Sequence, residues 1–320
     1  MPLAFAAANQ GILPDRLIHA LVDAGGIVPT APVTTEQTQP ASLDLRLGAV
    51  AHRVRASFLP GPKAKVKDRI DDLILHTIAL GSGAVLETGC VYIVPLMESL
   101  ALPADIAGAA NPKSSTGRLD VFTRVIADHA RAFDHVDEGY RGPLYLEISP
   151  RTFPVLVREG SRLSQMRFHR GRAIVLGDEL ADLHGRERLV DEDGADLHQG
   201  VAVGVDLSGL GPEGLIGYRA KRHTGLIDVD RRGAYAVADF WEPIRANEQR
   251  TLILDPDEFY ILASGEAVVV GADEAAEMIA YDTSVGELRS HYAGFLDCGF
   301  GLAEAGGAGS RLVLEVRSHD

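Results

Sequence analysis

Residues Asn111 to Gly160 read NPKSSTGRLDVFTRVIADHARAFDHVDEGYRGPLYLEISPRTFPVLVREG. Three parts stand out. Lys113, Ser114, Ser115 and Arg118 place a cation, two hydroxyls and a second cation close together, a set that suits a phosphate. Asp137-Glu138-Gly139-Tyr140-Arg141-Gly142 is a turn whose two glycines fit the positive φ of a hairpin. Pro143-Leu144-Tyr145-Leu146-Glu147-Ile148 alternates as a half-buried strand does. Leu144, Leu146 and Ile148 then share one face, and Tyr145 and Glu147 the other. Glu147 sits mid-strand among apolar residues, where a raised pKa is expected and would suit proton transfer. The plain alternative is a strand glutamate paired with an arginine.

Working outward, Asp15 to Ala24 carries Leu17, Ile18, Leu21 and Val22 at helical spacing, and Gly25-Gly26 ends the helix. Leu43, Leu45 and Leu47 alternate with Asp44 and Arg46 in a strand closed by Gly48. Val85 to Pro95 and Val155 to Phe168 add further strands, turning at Gly89 and Gly160. With 34 glycines and 16 prolines, the pattern predicts an all-β chain of many short strands with short helices. Leu180 to Gly200 is charged and glycine-bearing, and is expected to be a linker holding at most a short helix.

The 320 residues suggest about two domains. A net charge of -14 and a pI near 5.2 argue against general binding of nucleic acid or anionic membrane. Only Cys90 and Cys298 occur, too few for a disulfide framework or a four-cysteine zinc site, and a reducing cytoplasm is expected. The N-terminal residues lack the basic region of a signal peptide.

The second half repeats the first. Leu254 to Ile261 parallels Leu86 to Ile93, and Glu266 to Asp273 parallels Glu98 to Asp105. Gly294 to Gly301 parallels the turn at Asp137, and Leu312 to Val316 parallels Leu144 to Ile148. Ile227-Asp228-Val229 is a weaker counterpart of Leu43-Asp44-Leu45. In this register Ser114 falls on Asp282 and Arg118 on Gly286, so the second copy lacks the serine and arginine. The expected division is 1–185, a first repeat with the catalytic motifs, and 186–320, a linker and a degenerate second repeat that stops short of a final strand and tail.

These residues together resemble the dCTP deaminase branch of the dUTPase-like superfamily. The resemblance rests on Gln39 to Gly48, Leu102-Pro103-Ala104-Asp105, Lys113 to Arg118, Asp137 to Gly142 with Leu146-Glu147, the Glu159-Gly160 turn and Gln165. The tandem arrangement resembles the long bacterial form. The resemblance implies distorted β-barrel or jelly-roll repeats packed around a three-fold or pseudo-three-fold axis in a homo-oligomer. It implies hydrolysis of dCTP to dUTP and ammonia without zinc, in pyrimidine deoxynucleotide synthesis. Glu147 would be the general base, and Ser114 and Arg118 would position water and substrate. Lys113 and Ser115 would touch the triphosphate, which carries Mg2+. Lys113 stands where the family often has arginine, a loss of bidentate geometry. Asp137, Tyr140 and Gln165 complete the expected substrate contacts, with Asp137 either holding its turn or touching the sugar. dTTP is an expected inhibitor. The loop from Arg118 to Asp137 is longer than in short members. The family's C-terminal lid is not recognisable, and Tyr218, Lys221 and Arg222 are candidates to replace it.

The chemistry can be weighed apart from the resemblance. Deamination at C4 of cytosine needs an activated water, a proton for N3 and a proton for ammonia, and one carboxylate can serve all three. Zinc deaminases use His-x-Glu with Pro-Cys-x-x-Cys, which two separated cysteines cannot supply. Asp128-His129 and Asp134-His135 read as solvated loop residues rather than metal ligands. No Gly-x-Ser-x-Gly elbow supports a serine hydrolase. Gly306 to Ser310 lacks the lysine of a P-loop. Two rivals remain at this point: a dUTPase or bifunctional enzyme that goes on to dUMP and pyrophosphate, and a nucleotide-binding module without turnover.

Overall fold

The structure is a computed structural model of the 320-residue chain and describes residues 10–191, 195–279, 294–303 and 309–317. Strands dominate. Among the described residues no helix is long and apolar enough to cross a membrane. The chain divides into two compact units. The first runs to residue 173 and takes back 225–234; the second comprises 174–224 and the chain from 235.

The first unit is built from two main sheets. One runs His135–Val136, Ile106–Pro112, Arg162–Arg170, Ser42–Arg46, Thr38–Gln39, with Gly11–Ile12 also on Arg162–Arg170. The other runs Val121–Ala127, Arg141–Pro150, Val91–Ala101, Val50–Val54, Ile74–Ala79, with Ile27–Pro29 also on Val91–Ala101. One core draws on both. Leu43, Leu45, Met166 and Phe168 come from the first sheet, and Tyr92, Val94, Leu144, Leu146 and Ile148 from the second. Leu144, Leu146 and Ile148 are fully buried, each contributing about 1.5–3 kcal/mol relative to exposure. The helix Asp15–Asp23 adds Leu17, Ile18 and Leu21 to this core. It stops as expected: Gly25 has φ +73°, and the Gly26 amide donates to the Leu21 carbonyl at 2.7 Å.

The turn at Asp137 differs from the expected hairpin. His135–Val136 pairs with Ile106–Pro112 in one sheet, whereas Arg141–Pro150 lies in the other. The turn is therefore a crossover between sheets. Only Gly139 has positive φ, at +70°. Gly142 is needed for space, since a Cβ there would lie 2.6 Å from the Tyr140 hydroxyl.

The return of 225–234 also differs from the sequence reading, which weakly matched Ile227-Asp228-Val229 to Leu43-Asp44-Leu45. Ile227–Asp228 pairs in parallel with Val155-Leu156 of the first unit. Arg158 locks it there, donating to both carboxylate oxygens of Asp228 at 2.7 and 2.8 Å and to Asp230 at 3.2 Å.

The second unit repeats the second sheet of the first. Its order is Trp241–Arg245, Leu215–Ala220, Phe259–Val268, Ser310–Arg317. The matching order in the first unit is Ile74–Ala79, Val50–Val54, Val91–Ala101, Arg141–Pro150. Register is kept at a constant offset. Glu147 lies opposite Ile93 and Ile148 opposite Tyr92; Glu315 lies opposite Ile261 and Val316 opposite Tyr260. The Tyr92 hydroxyl accepts from the Glu87 amide at 3.1 Å, and that of Tyr260 from the Asp255 amide at 2.9 Å. The short pair Ala276–Glu277 with Phe295–Leu296 repeats Ile106–Pro112 with His135–Val136. The expected tandem all-β repeats are thus present. Asp282 and Gly286 lie outside the described residues, as do 304–308 of the glycine-rich segment. The expected linker begins as a helix, Asp178–Glu187, which ends where Arg188 turns left-handed at φ 44°.

One acid of the second unit carries a pH signature. Asp206 accepts from the Ser208 hydroxyl at 2.5 Å and amide at 2.8 Å, from the Gly209 amide at 3.2 Å, and from Arg311. These donors, the Ser208 hydroxyl foremost, pull its carboxyl down to about 2. A carboxyl lowered on folding adds stability above its unfolded pKa, and that stability is lost as pH falls through the folded value. Asp206→Asn is expected to be less stable than wild type at pH 6, with the gap closing as pH falls from about 4 towards 2. Urea unfolding at each pH tests this; a gap independent of pH would refute it.

Candidate active site

Glu147 sits in the middle of the Arg141–Pro150 strand, between Arg124 on one neighbour and Ile93 on the other. Around Glu147 this face of the sheet is covered. Residues between the Val50–Val54 and Ile74–Ala79 strands fold over it and form a second apolar cluster. Val54, Val66, Ile70, Ile93 and Ile126 are its buried members, with Phe58, Leu73, Phe133 and Tyr145 packed around them. Glu147 is 2% exposed.

A carboxylate so buried needs a partner. Arg124 provides it: Nε and Nη2 both donate to Oε1, at 3.0 and 2.6 Å. The other oxygen, Oε2, is buried with no hydrogen-bond partner among the described residues. Arg124 is itself braced. Its Nη2 donates to the Ser57 hydroxyl at 2.8 Å, and its guanidinium lies 3.6 Å over the Phe133 ring and 4.8 Å from the Phe122 ring.

The phosphate-suited loop follows the Ile106–Pro112 strand. Ser114–Gly117 forms one short helical turn, with Thr116 and Gly117 buried and Ser114, Ser115 and Arg118 exposed. Lys113 behaves differently. Its ammonium lies 2.5 Å from both oxygens of Asp44, which is fully buried. Burial pushes the Asp44 carboxyl up and the Lys113 ammonium down, each against the attraction of the other. Arg162 stands 3.6 Å from Asp44. Gln165 lies directly across from Asp44 on one side and Asn111 on the other, and accepts from the Ser42 hydroxyl at 3.3 Å.

At the crossover turn Asp137 is exposed, 3.2 Å from His135. The Tyr140 hydroxyl is taken up by the backbone: it donates to the Pro143 carbonyl at 2.7 Å and accepts from the Asp128 amide at 3.0 Å. Burial pushes its pKa up. Tyr140 is thus a strut of the turn. Asp128 and Asp134 are also occupied with the backbone, accepting from the amides of Val66 and Val125. Among the described residues no three of His, Cys, Asp and Glu converge as metal ligands would.

The Val121–Ala127 strand strings these groups together. Ser114–Gly117 precedes one end, Arg124 is at its centre against Glu147, and Asp128, the support of Tyr140, follows the other end. Within this strand order the polar partner of Glu147 is Arg124. Sequence reasoning missed Arg124, Ser57, Phe133 and Asp44. Alternation of Phe122, Arg124 and Ile126 was the one local signal for the first.

Two tandem units of dUTPase-like all-β architecture, one holding both a buried strand carboxylate and a serine- and arginine-bearing loop, define a class of nucleotide enzymes. The comparisons place the chain within it. Residues 9–172 match the model of the 2'-deoxycytidine 5'-triphosphate deaminase N-terminal domain, and 176–320 match that of its C-terminal domain. A dCTP deaminase from Halorubrum lacusprofundi is 30% identical over 154 residues, 48% of this chain and 73% of that protein. A dUMP-forming dCTP deaminase from Coprothermobacter proteolyticus is 32% identical over 158 residues, 49% of this chain and 81% of that protein. The crystal structure of 2'-deoxycytidine 5'-triphosphate deaminase from Agrobacterium tumefaciens superposes with a TM-score of 0.94 at 57% identity, covering 98% of this chain and 91% of that one. The chain belongs to the dCTP deaminase family.

Proposed function

We propose that this enzyme hydrolyses dCTP to dUTP and ammonia with Glu147 as general base. The observation that carries the reading is the Glu147 carboxylate: buried, clamped through one oxygen and unpartnered at the other. A carboxylate shielded from bulk water and oriented by one fixed partner suits repeated proton transfer. Water adds to C4 as Oε2 takes its proton, and the proton is passed to N3. The same carboxylate then takes the proton of the new C4 hydroxyl and gives it to the amino group, so that the C4 carbonyl forms as the C–N bond breaks and ammonia leaves. Arg118 would donate to the oxygen on that carbon, and Ser114 would hold the water. Ser115 would meet the triphosphate; Lys113 acts there through a side chain already shared with Asp44. Asp137 and Gln165 remain candidate substrate contacts. No zinc is invoked, because two distant cysteines do not supply the Pro-Cys-x-x-Cys ligands of the zinc deaminases. Mg2+ enters as part of the nucleotide, bound to its phosphates.

A second reading has one observation in its favour, the dUMP-forming name of the Coprothermobacter relative. On that reading dUTP would lose pyrophosphate before release. Purified protein with dCTP and Mg2+ separates them. Ammonia and dUTP in equal amounts without pyrophosphate are expected. Pyrophosphate in step with ammonia would favour the second reading, and no ammonia from folded protein would overturn both.

A further inference from the structure

Arg124 does more than neutralise Glu147. Both of its donors converge on the same oxygen, Oε1, at 3.0 and 2.6 Å. A carboxylate held this way keeps one rotational setting, and Oε2 becomes the only oxygen free to accept a proton. The guanidinium has little freedom of its own. Ser57 accepts from Nη2 at 2.8 Å, and the Phe133 ring lies 3.6 Å beneath the guanidinium. A lysine in its place would keep the charge but lose the planar fork and the stacking. General-base catalysis depends on the acceptor oxygen's position within fractions of an ångström.

We infer that Arg124 is a positioning residue: braced by Ser57 and Phe133, it clamps Oε1 of Glu147 so that Oε2 is the oxygen presented to the attacking water. This rests on Glu147 being the base. Ser57 and Phe133 lie on different segments, 55–73 and 128–134, so the fold brings two distant stretches together to hold one guanidinium.

The test compares Arg124→Ala, Arg124→Lys and Ser57→Ala with wild type in the dCTP assay, with thermal melts alongside. Arg124→Ala is expected to lose about 100-fold in kcat with little change in KM. Added guanidinium chloride, at millimolar concentrations well below those that unfold protein, should restore part of that loss in Arg124→Ala and none in Glu147→Gln. Arg124→Lys should stay well below wild type because it lacks the fork. Ser57→Ala, which removes only a brace, should lower kcat a few-fold without lowering the melting temperature. Wild-type kcat in folded Arg124→Ala, or a loss there that guanidinium does not restore, would overturn the inference. Should Arg124→Ala not fold, wild-type kcat in both Arg124→Lys and Ser57→Ala would overturn it. Failure of the underlying reading looks different: it appears as activity retained in Glu147→Gln.

Discussion

Glu147→Gln is expected to lower ammonia release by at least about 1,000-fold while the protein still folds and still binds dCTP. A positioned general base contributes about 100- to 10,000-fold, and in the proposed mechanism one carboxylate would serve successive proton transfers, which places the expected loss in the upper part of that range. Glutamine keeps the shape and an oxygen that can accept from Arg124, so the Oε1 clamp can survive. At the Oε2 position it puts an amide NH2, which cannot take a proton from water. The stability cost is expected to be modest, on the order of 1.5–3 kcal/mol for weakening a charged hydrogen bond. Arg124 keeps Ser57 and Phe133, and its side chain is 26% exposed to solvent. Glu147→Asp should behave differently: the base is kept but withdrawn by one methylene, so part of the rate should return. The checks are kcat for ammonia release, a melting curve and direct dCTP binding on each variant. If Glu147→Gln kept more than a tenth of the wild-type rate, Glu147 would not be the base, and the buried pair with Arg124 would be structural.

That pair marks how far the sequence could be read. The strand that carries Glu147 was legible because Leu144, Leu146 and Ile148 alternate, and alternation is a local signal; the cover over the Glu147 face comes from residues 55–73 and was not. The repeat was legible because the spacing from Tyr92-Ile93 to Glu147 recurs from Tyr260-Ile261 to Glu315, and the strands keep that register. Contacts between segments far apart in the chain left no such trace. Nothing local tells that Lys113 will meet Asp44, 69 residues away, or that Arg124 will lie across from Glu147. The Asp137 turn was misread for a related reason. A glycine at positive φ serves a hairpin and a crossover equally, and only the pairing of the flanking strands distinguishes them. The return of 225–234 was hidden because a two-residue strand has no periodicity; its hold comes from Arg158 on Asp228, a meeting of distant charges.

Glu98→Ala should be the most damaging single change to the fold, costing about 3–5 kcal/mol as the rupture of a buried ion pair. Glu98 is fully buried at the end of the core strand Val91–Ala101. Its Oε1 accepts from Arg46 Nε at 2.7 Å and from Gln37 at 2.8 Å, and its Oε2 accepts from the Arg46 amide at 2.8 Å. Arg46 spends its other donors on the carbonyls of Ala31 and Pro32, at 2.6 and 3.0 Å. Each nitrogen of the guanidinium fork is thus directed, but only Glu98 supplies countercharge among these partners. Removing it strands a cation that is 8% exposed, and against a typical total of about 5–15 kcal/mol the loss is large. Replacing both members with apolar residues of similar volume, Arg46→Met with Glu98→Leu, removes the stranded charge along with the pair. The double variant should therefore be more stable than the two single costs would sum to, by about 2 kcal/mol or more. Urea unfolding of wild type, both single variants and the double variant gives that coupling directly. A Glu98→Ala cost below about 1 kcal/mol would mean the network carries no more than an ordinary surface pair. The strand at stake also reaches the active site: Asp44, two residues from Arg46, holds Lys113 at the head of the Ser114–Gly117 turn. Glu98→Ala should accordingly raise KM for dCTP in the fraction that remains folded, because the loop proposed to meet the nucleotide is anchored to the strand that Glu98 secures.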